Sequence, residues 1–393
     1  MNERAAAITG VGVIVPIGIG FEQLGKALAG GATGLDEIAG FDAADLPVQI
    51  AGEVRGFELS DHITSMKTYI DRASALALAA SAMALRQSGW NAGLDGDNIG
   101  LCLGSAWGCE DSIRFYTAKL IASDPKFAPP LVFTHGYANA PNSLVSIEFG
   151  LRGHNACFAG GWAAGAAALE NALDVIRRDG TQRLLAGGVD ALSEIALRSA
   201  IAEGLASADL GRPFDTAADG LLLGEGAAIL ALESVESARN RKARAIGYVL
   251  GSGSGGGADL ARAVSLAIER ALRDAGVDAA HIGAVFASAS GLRQVDAAEA
   301  AAIAAALPGK PPVVTLKGAM GDPMGAWAPV GVAAALCCMH AGELPANQGL
   351  RSPISNEINV PRETTRGDFS TCLVLNTSPG GYAAATVVGK AEG

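Results

Sequence analysis

The chain has 393 residues, 50% of them hydrophobic and 18% charged, with a formal net charge of -11. That length supports a sizeable core and two or three domains' worth of structure. The acidic balance argues against nucleic acid as a partner, because the one basic stretch, "ESARNRKARA", reads as the exposed end of a helix.

No run of about 18 uninterrupted apolar residues occurs, which argues against a membrane span. The N-terminus, "MNERAAAITGVGV", lacks a basic segment leading into a long apolar core and reads as the first strand, so a cytoplasmic protein is expected. Cys102, Cys109, Cys157, Cys337, Cys338 and Cys372 show no CxxC spacing and fall in apolar segments, as reduced core thiols do. No HxxxH or CxxC pair is present, so no metal site is expected.

In chain order, "AAITGVGVIVP" reads as a strand ending in a Gly/Pro turn. "SALALAASAMALRQSG" reads as a helix stopped by Gly89. "NIGLCLGSAWG" is a strand followed by a glycine turn, and "SLVSIEFG" is a helix or strand ahead of "LRGHNACFA". "NACFAGGWAAGAAALENAL" is a short strand, a tight glycine turn and the start of an alanine-rich helix, which "AAGAAALENALDVIRRDG" extends to about five turns closed by basic residues and Gly180. "TQRLLAGGVDAL" is a strand. The βαβα alternation predicts an α/β fold with a largely parallel sheet.

The second half repeats this plan. "RAIGYVLGSGSGGG" resembles the N-terminal strand and turn, "DLARAVSLAIERALRDAG" is an amphipathic helix, and "IGAVFASASG" parallels "IGLCLGSAWG". "STCLVLNTSPGGYAAATVV" closes the chain as a hairpin-like pair. An internal duplication follows, with halves 1–240 and 241–393 in one compact body.

Many enzymes place a nucleophile on the first helical residue after a strand and glycine turn. Here that place holds Trp162, whose indole has no usable nucleophile.

Five motifs occur in order: "ITGVGVIVPIG", "GLRG", "LLAGGVDAL", "RPFDTAADGLLLGEGAAILALE" and "LKGAMGDPMGA". Together they resemble the β-ketoacyl-acyl-carrier-protein synthase family of the thiolase fold. The resemblance spans essentially the whole chain and implies an αβαβα sandwich of two pseudo-symmetric halves and a tight dimer, with no cofactor. The family uses a Cys at a helix start, where the helix N-terminus lowers the thiol pKa and offers N–H groups to the oxyanion. Two histidines then serve malonyl decarboxylation and the enolate. Matched residue by residue, the Cys position falls on Trp162, the first histidine on Ser290 and the second on Asp322, while Lys317 keeps its type.

A serine does not replace an imidazole, and Asp322 puts negative charge where negative charge must develop. Asp322 reads better as a carboxylate paired with Lys317 or capping a turn. The family's Asn-Ser-Phe-Gly-Phe-Gly-Gly loop is "NTSPGGY" here, one residue shorter, without its gating Phe and stiffened by Pro379. Cys157, on the strand five residues before Trp162, reads as a small core residue, and Cys109 has no neighbouring His or Lys in sequence.

Synthase homologues without the cysteine form a class, the chain-length factors, each paired with an active ketosynthase whose acyl tunnel runs to the subunit interface. The resemblance therefore implies a non-catalytic subunit of a bacterial type II polyketide, polyene or specialised fatty-acid pathway, in a heterodimer that meets acyl carrier protein transiently. Some such factors carry Gln at the nucleophile position; Trp162 lacks that amide, so no decarboxylation is expected, and its indole is expected to fill the vacated pocket. Chain-length positions fall on Trp107, Glu110, Asp111, Arg114 and Phe115 after "GSAWG". Glu110, Asp111 and Arg114 also have the spacing of a helix-surface ion pair. A loop reaching across the dimer falls on "PPLVFTHGYANAP", with Phe133 and His135 as its reaching residues. An enzyme of altered acyl-transfer or cyclisation chemistry using Ser290, Asp322, Lys317 and Cys109 is the alternative. A carrier-protein-binding scaffold acting alone is a third reading, which the negative charge opposes.

Overall fold

The computed structural model describes residues 4–178 and 180–391. Ten main strands appear in it: β1 (Ala6–Val15), β2 (Ile99–Ser105), β3 (Asn155–Ala159), β4 (Arg183–Asp190), β5 (Gly226–Ser234), β6 (Gly247–Gly256), β7 (Ala284–Phe286), β8 (Val313–Val314), β9 (Thr371–Ser378) and β10 (Tyr382–Lys390). The helices used below are α1 (Phe21–Gly30), α2 (Arg72–Ser88), α3 (Glu110–Ala122), α4 (Pro130–His135), α5 (Ala140–Phe149), α6 (Ala164–Arg177), α7 (Glu194–Ala202), α8 (Val235–Asn240), α9 (Leu260–Ala275), α10 (Arg293–Ala306) and α11 (Trp327–Ala341).

The strands run in the order β8-β7-β9-β10-β6-β1-β5-β4-β2-β3, and the two-residue strand Gly18–Ile19 adds to β1. From the middle outwards the two halves repeat: β1-β5-β4-β2-β3 on one side, β6-β10-β9-β7-β8 on the other. They join where Ala6–Ile8 pairs antiparallel with Gly247–Val249. Helices α2 and α5 cover one half and α9 and α10 the other, while α6 and α11 lie between them. This is the five-layer αβαβα arrangement expected of two pseudo-symmetric halves.

The expectation of a largely parallel sheet is corrected. Only β4-β2-β3 and β9-β7-β8 run parallel. The other main pairs are antiparallel. The physical reason is plainest at β9 and β10. Three residues, Pro379 to Gly381, separate them, and so short a turn joins only antiparallel strands.

Small residues set the layer spacing. A Cβ at Gly12 would lie 1.8 Å from the Ala80 carbonyl oxygen, and one at Gly10 2.2 Å from that of Ala84. Helix α2 therefore rests directly on the β1 backbone. It is capped at its start by Asp71, which accepts the Ala73 N–H, and at its end by left-handed Gly89, as the sequence indicated.

Three further details bear on the sequence reading. Residues 324–341 form a stretch long and apolar enough by composition to cross a bilayer, yet 89% of it is buried, because α11 is a central-layer helix. The alanine-rich helix α6 begins at Ala164 and ends at Arg177, so Trp162 lies in the turn ahead of it rather than on its first residue. "ESARNRKARA" is not simply an exposed helix end: Arg241 forms an ion pair with the fully buried Glu233.

Candidate functional site

The site lies where the ends of β2, β4 and β9 meet the turn before α11. The carboxylate of Asp190, the last residue of β4, organises it. Asp190 accepts hydrogen bonds from the Ser105 hydroxyl at 2.7 Å, from the Trp107 N–H at 3.0 Å and from the Gly325 N–H at 2.7 Å. The Ala106 N–H reaches both its oxygens. One fully buried carboxylate thus ties the glycine turn after β2 to the turn that precedes α11 in the other half. Burial pushes its pKa up to about 6, opposed by the donors from Trp107, Ala106, Ser105 and Gly325.

Trp162 and Trp107 face a shared cavity of about 220 Å³, with Leu205, Leu223, Ser378 and Pro379 also on its wall. Both indoles are half-buried. Trp162 therefore fills only part of the space, where complete filling was expected. The Trp107 indole N–H points at the Met324 sulfur at 2.9 Å. Met324 holds this position with a left-handed backbone, φ 51°, a conformation uncommon outside glycine. Its own N–H donates to Asp322 Oδ1 at 2.9 Å.

Lys317 and Asp322 form a buried ion pair of 2.9 Å, as the sequence suggested. The Lys317 ammonium also donates to the Ser288 carbonyl oxygen at 2.8 Å and to the Ser288 hydroxyl at 3.1 Å, and lies 5.1 Å from the centre of the Trp327 ring. Its donors are thereby committed within the protein. Ser290 is buried, and its N–H donates to Asp296 Oδ1 at 3.0 Å. Asp296 also accepts the Phe214 and Gly291 N–H groups, while burial pushes its pKa up to about 6.

Glu299 is fully buried close by. One oxygen accepts the Thr377 hydroxyl at 2.6 Å and the Ser288 N–H at 3.2 Å, and the other has no partner. Burial pushes its pKa up to about 7, with the Thr377 bond and the Lys317 charge opposing. Asp190, Met324, Asp296 and Glu299 escaped the sequence reading. Asp190 stood inside the quoted motif "LLAGGVDAL", but a motif match does not say which of its residues gathers donors from two halves.

The residues on α3 separate from this cavity. Glu110 is half-buried and accepts the Ser193 hydroxyl at 3.2 Å. Arg114 pairs with Glu194 at 3.5 Å and with Asp111 at 4.0 Å, so the expected helix-surface pair forms with Asp111 and not with Glu110. Phe115 is exposed beneath the Lys119 ammonium. The segment expected as a reaching loop contains the short helix α4. Phe133 packs between Tyr116 and Tyr137, and His135 stands edge-on to Tyr69 of the same chain at 5.5 Å. Cys109 is buried at the start of α3, where desolvation drives its thiol pKa well up, and burial also raises that of Cys157. Neither is a poised thiolate.

The β-ketoacyl synthase N-terminal domain model matches residues 3–238 and the β-ketoacyl synthase C-terminal domain model matches residues 242–351. The chain is 30% identical to the tetracenomycin polyketide synthase ketoacyl synthase beta subunit of Streptomyces glaucescens, covering 97% of each chain. It is 29% identical to the alpha subunit of the same organism's synthase, covering 99% of this chain and 97% of that one. The solved structure of the ishigamide ketosynthase/chain length factor superposes with a TM-score of 0.92 at 28% identity, covering 99% of this chain and 100% of that one. The chain belongs to the β-ketoacyl synthase family.

Proposed function

We propose that this chain is a non-catalytic, chain-length-factor-like subunit that pairs with an active ketosynthase in the cytoplasm and shapes the tunnel in which an acyl or polyketide chain grows. The observation that carries the reading is the wall of the cavity at Trp162, which among the described residues includes neither a cysteine nor a histidine. Ser199 and Ser378 line it, and an indole stands at the position matched to the family's nucleophile. At the place of the second histidine, Asp322 is locked to Lys317.

A second feature supports a partner. Strand β3 ends the sheet, half-buried in its middle and exposed at Asn155 and Ala159. An uncovered edge invites pairing with another chain. Helices α3, α4 and α5 also carry exposed apolar side chains, among them Ile121 at 81% and Ile147 at 75% exposure. Trp107 and the α3 residues Glu110, Asp111, Arg114 and Phe115 would set tunnel length, and Phe133 would meet the partner.

The test is co-expression with a ketosynthase whose Cys-His-His set is intact. The expected result is a one-to-one complex that condenses, with no turnover and no acyl adduct on this chain alone. A stable homodimer that acquires an acyl adduct on Cys109, Cys157 or Ser290 would overturn the reading and favour altered chemistry.

A further inference from the structure

A cavity of about 970 Å³ opens at the opposite end of the sheet, between the start of β1, helix α8 and the end of β10. Strand β4 separates the two regions: Arg183 pairs with Glu233 near this cavity, and Asp190 lies at the other end, roughly 20 Å away. Arg239, Arg244 and Lys390 line it, and among the described residues no carboxylate does. None of the three cationic side chains is ion-paired among the described residues. In a chain of net charge -11, three unneutralised cations around one concavity form a local field of the opposite sign.

Arg239, Arg244 and Lys390 are exposed, and the backbone that carries the two arginines is held in place. Between Arg239 and Arg244, Arg241 is fixed by Glu233 and by the Ser88 carbonyl oxygen at 2.8 Å. Glu233 also accepts from Thr9, Trp90 and Ser237, so the nearby carboxylate is fully engaged. Lys242, left-handed at φ 55°, follows the end of α8, and Arg239 before it and Arg244 after it both line the cavity. The Ile246 N–H then anchors the connector to the Ile8 carbonyl oxygen at 2.7 Å. Phe21, Ile246 and Tyr248 supply an apolar and aromatic part of the wall. A concavity of this size suits a small molecule rather than the broad face of a protein.

We infer that this cavity is a binding site for a small organic polyphosphate, with the arginines and Lys390 on its phosphates and the apolar wall against its body. The inference is independent of the function proposed above.

Calorimetric titration of the purified chain, and of its ketosynthase complex, with inorganic tripolyphosphate and with ADP tests it. Both probes are expected to bind one-to-one with Kd tighter than about 1 mM. Affinity should fall as NaCl is raised. The R239Q/R244Q double variant should weaken binding roughly tenfold or more, and Lys390→Gln should weaken it separately. If the double variant does not fold, Lys390→Gln and Arg244→Gln alone carry the test. Arg152→Gln and Arg178→Gln, exposed arginines elsewhere, should change nothing. Absence of binding, equal weakening by these controls, or tighter binding of polyglutamate than of either phosphate probe would overturn the inference.

Discussion

The ammonium of Lys317 and the carboxylate of Asp322, five residues apart, meet at 2.9 Å with side-chain exposures of 3% and 1%. Removing one member strands the other charge in the core, which costs about 3–5 kcal/mol. Asp322→Asn and Lys317→Met are each expected to lower unfolding free energy by that order in urea denaturation. The K317M/D322L double variant should lie closer to wild type than either single variant.

Restoring a thiol should not restore condensation. Trp162→Cys puts a cysteine two residues ahead of α6, where an acyl adduct can form. Ser290 and the Lys317–Asp322 pair still supply no imidazole for the enolate. Intact mass spectrometry is expected to show acylation at most, with no carbon dioxide released from a malonyl thioester.

Trp162→Ala enlarges the existing cavity of about 220 Å³. Because the indole is half-buried, the loss should be roughly 1–3 kcal/mol, below that of a fully buried tryptophan. Thermal unfolding measures it.

Glu299 gives stability a pH dependence of known sign. Its pKa rises from 4.5 to about 7 on folding, so the folded chain holds the proton more tightly than the unfolded one. Its contribution is most favourable below about 4.5 and is lost as pH climbs to about 7, with a slope of up to ~1.4 kcal/mol per pH unit. Glu299→Gln should flatten the decline over that window, as read from denaturation at several pH values.

Charges placed on the apolar face should separate the proposed complex without unfolding the chain. Ile121→Asp, at a position 81% exposed, is expected to alter stability by about 0.5 kcal/mol or less. Phe133→Asp removes ring contacts to Tyr116 and Tyr137 as well, so it should cost more. Analytical ultracentrifugation should show both variants losing the one-to-one partner.

Trp107→Ala should lengthen the product of the reconstituted complex, since it removes an indole from the cavity wall. An unchanged product length would end the proposed role of Trp107 in gating.

The five layers were accessible from sequence because five motifs in order carry the resemblance to the thiolase fold; the strand order was not read. The Lys317–Asp322 pair was accessible too, since five residues of a short turn bring opposite charges together. Strand direction was not. The βαβα alternation does not register that β5 returns antiparallel after a long excursion, or that Pro379 to Gly381 close a hairpin. The remaining space beside Trp162 also escaped, because volume depends on Leu205, Leu223 and Ser378, which are distant in sequence and meet only in the fold.

The hub at Asp190 bears on how such a chain diverges. A Cβ on Gly325 would fall 2.7 Å from both Asp190 Oδ2 and the Ala106 nitrogen, so that glycine and that carboxylate are sterically and electrostatically bound to each other. Side chains at positions 162 and 290 can be exchanged without touching this hub, whereas Asp190 and Gly325 hold the two halves in register. Substitutions will therefore accumulate at positions 162 and 290 far more freely than at 190 and 325. On the proposed reading, an architecture can outlast the chemistry it was built around.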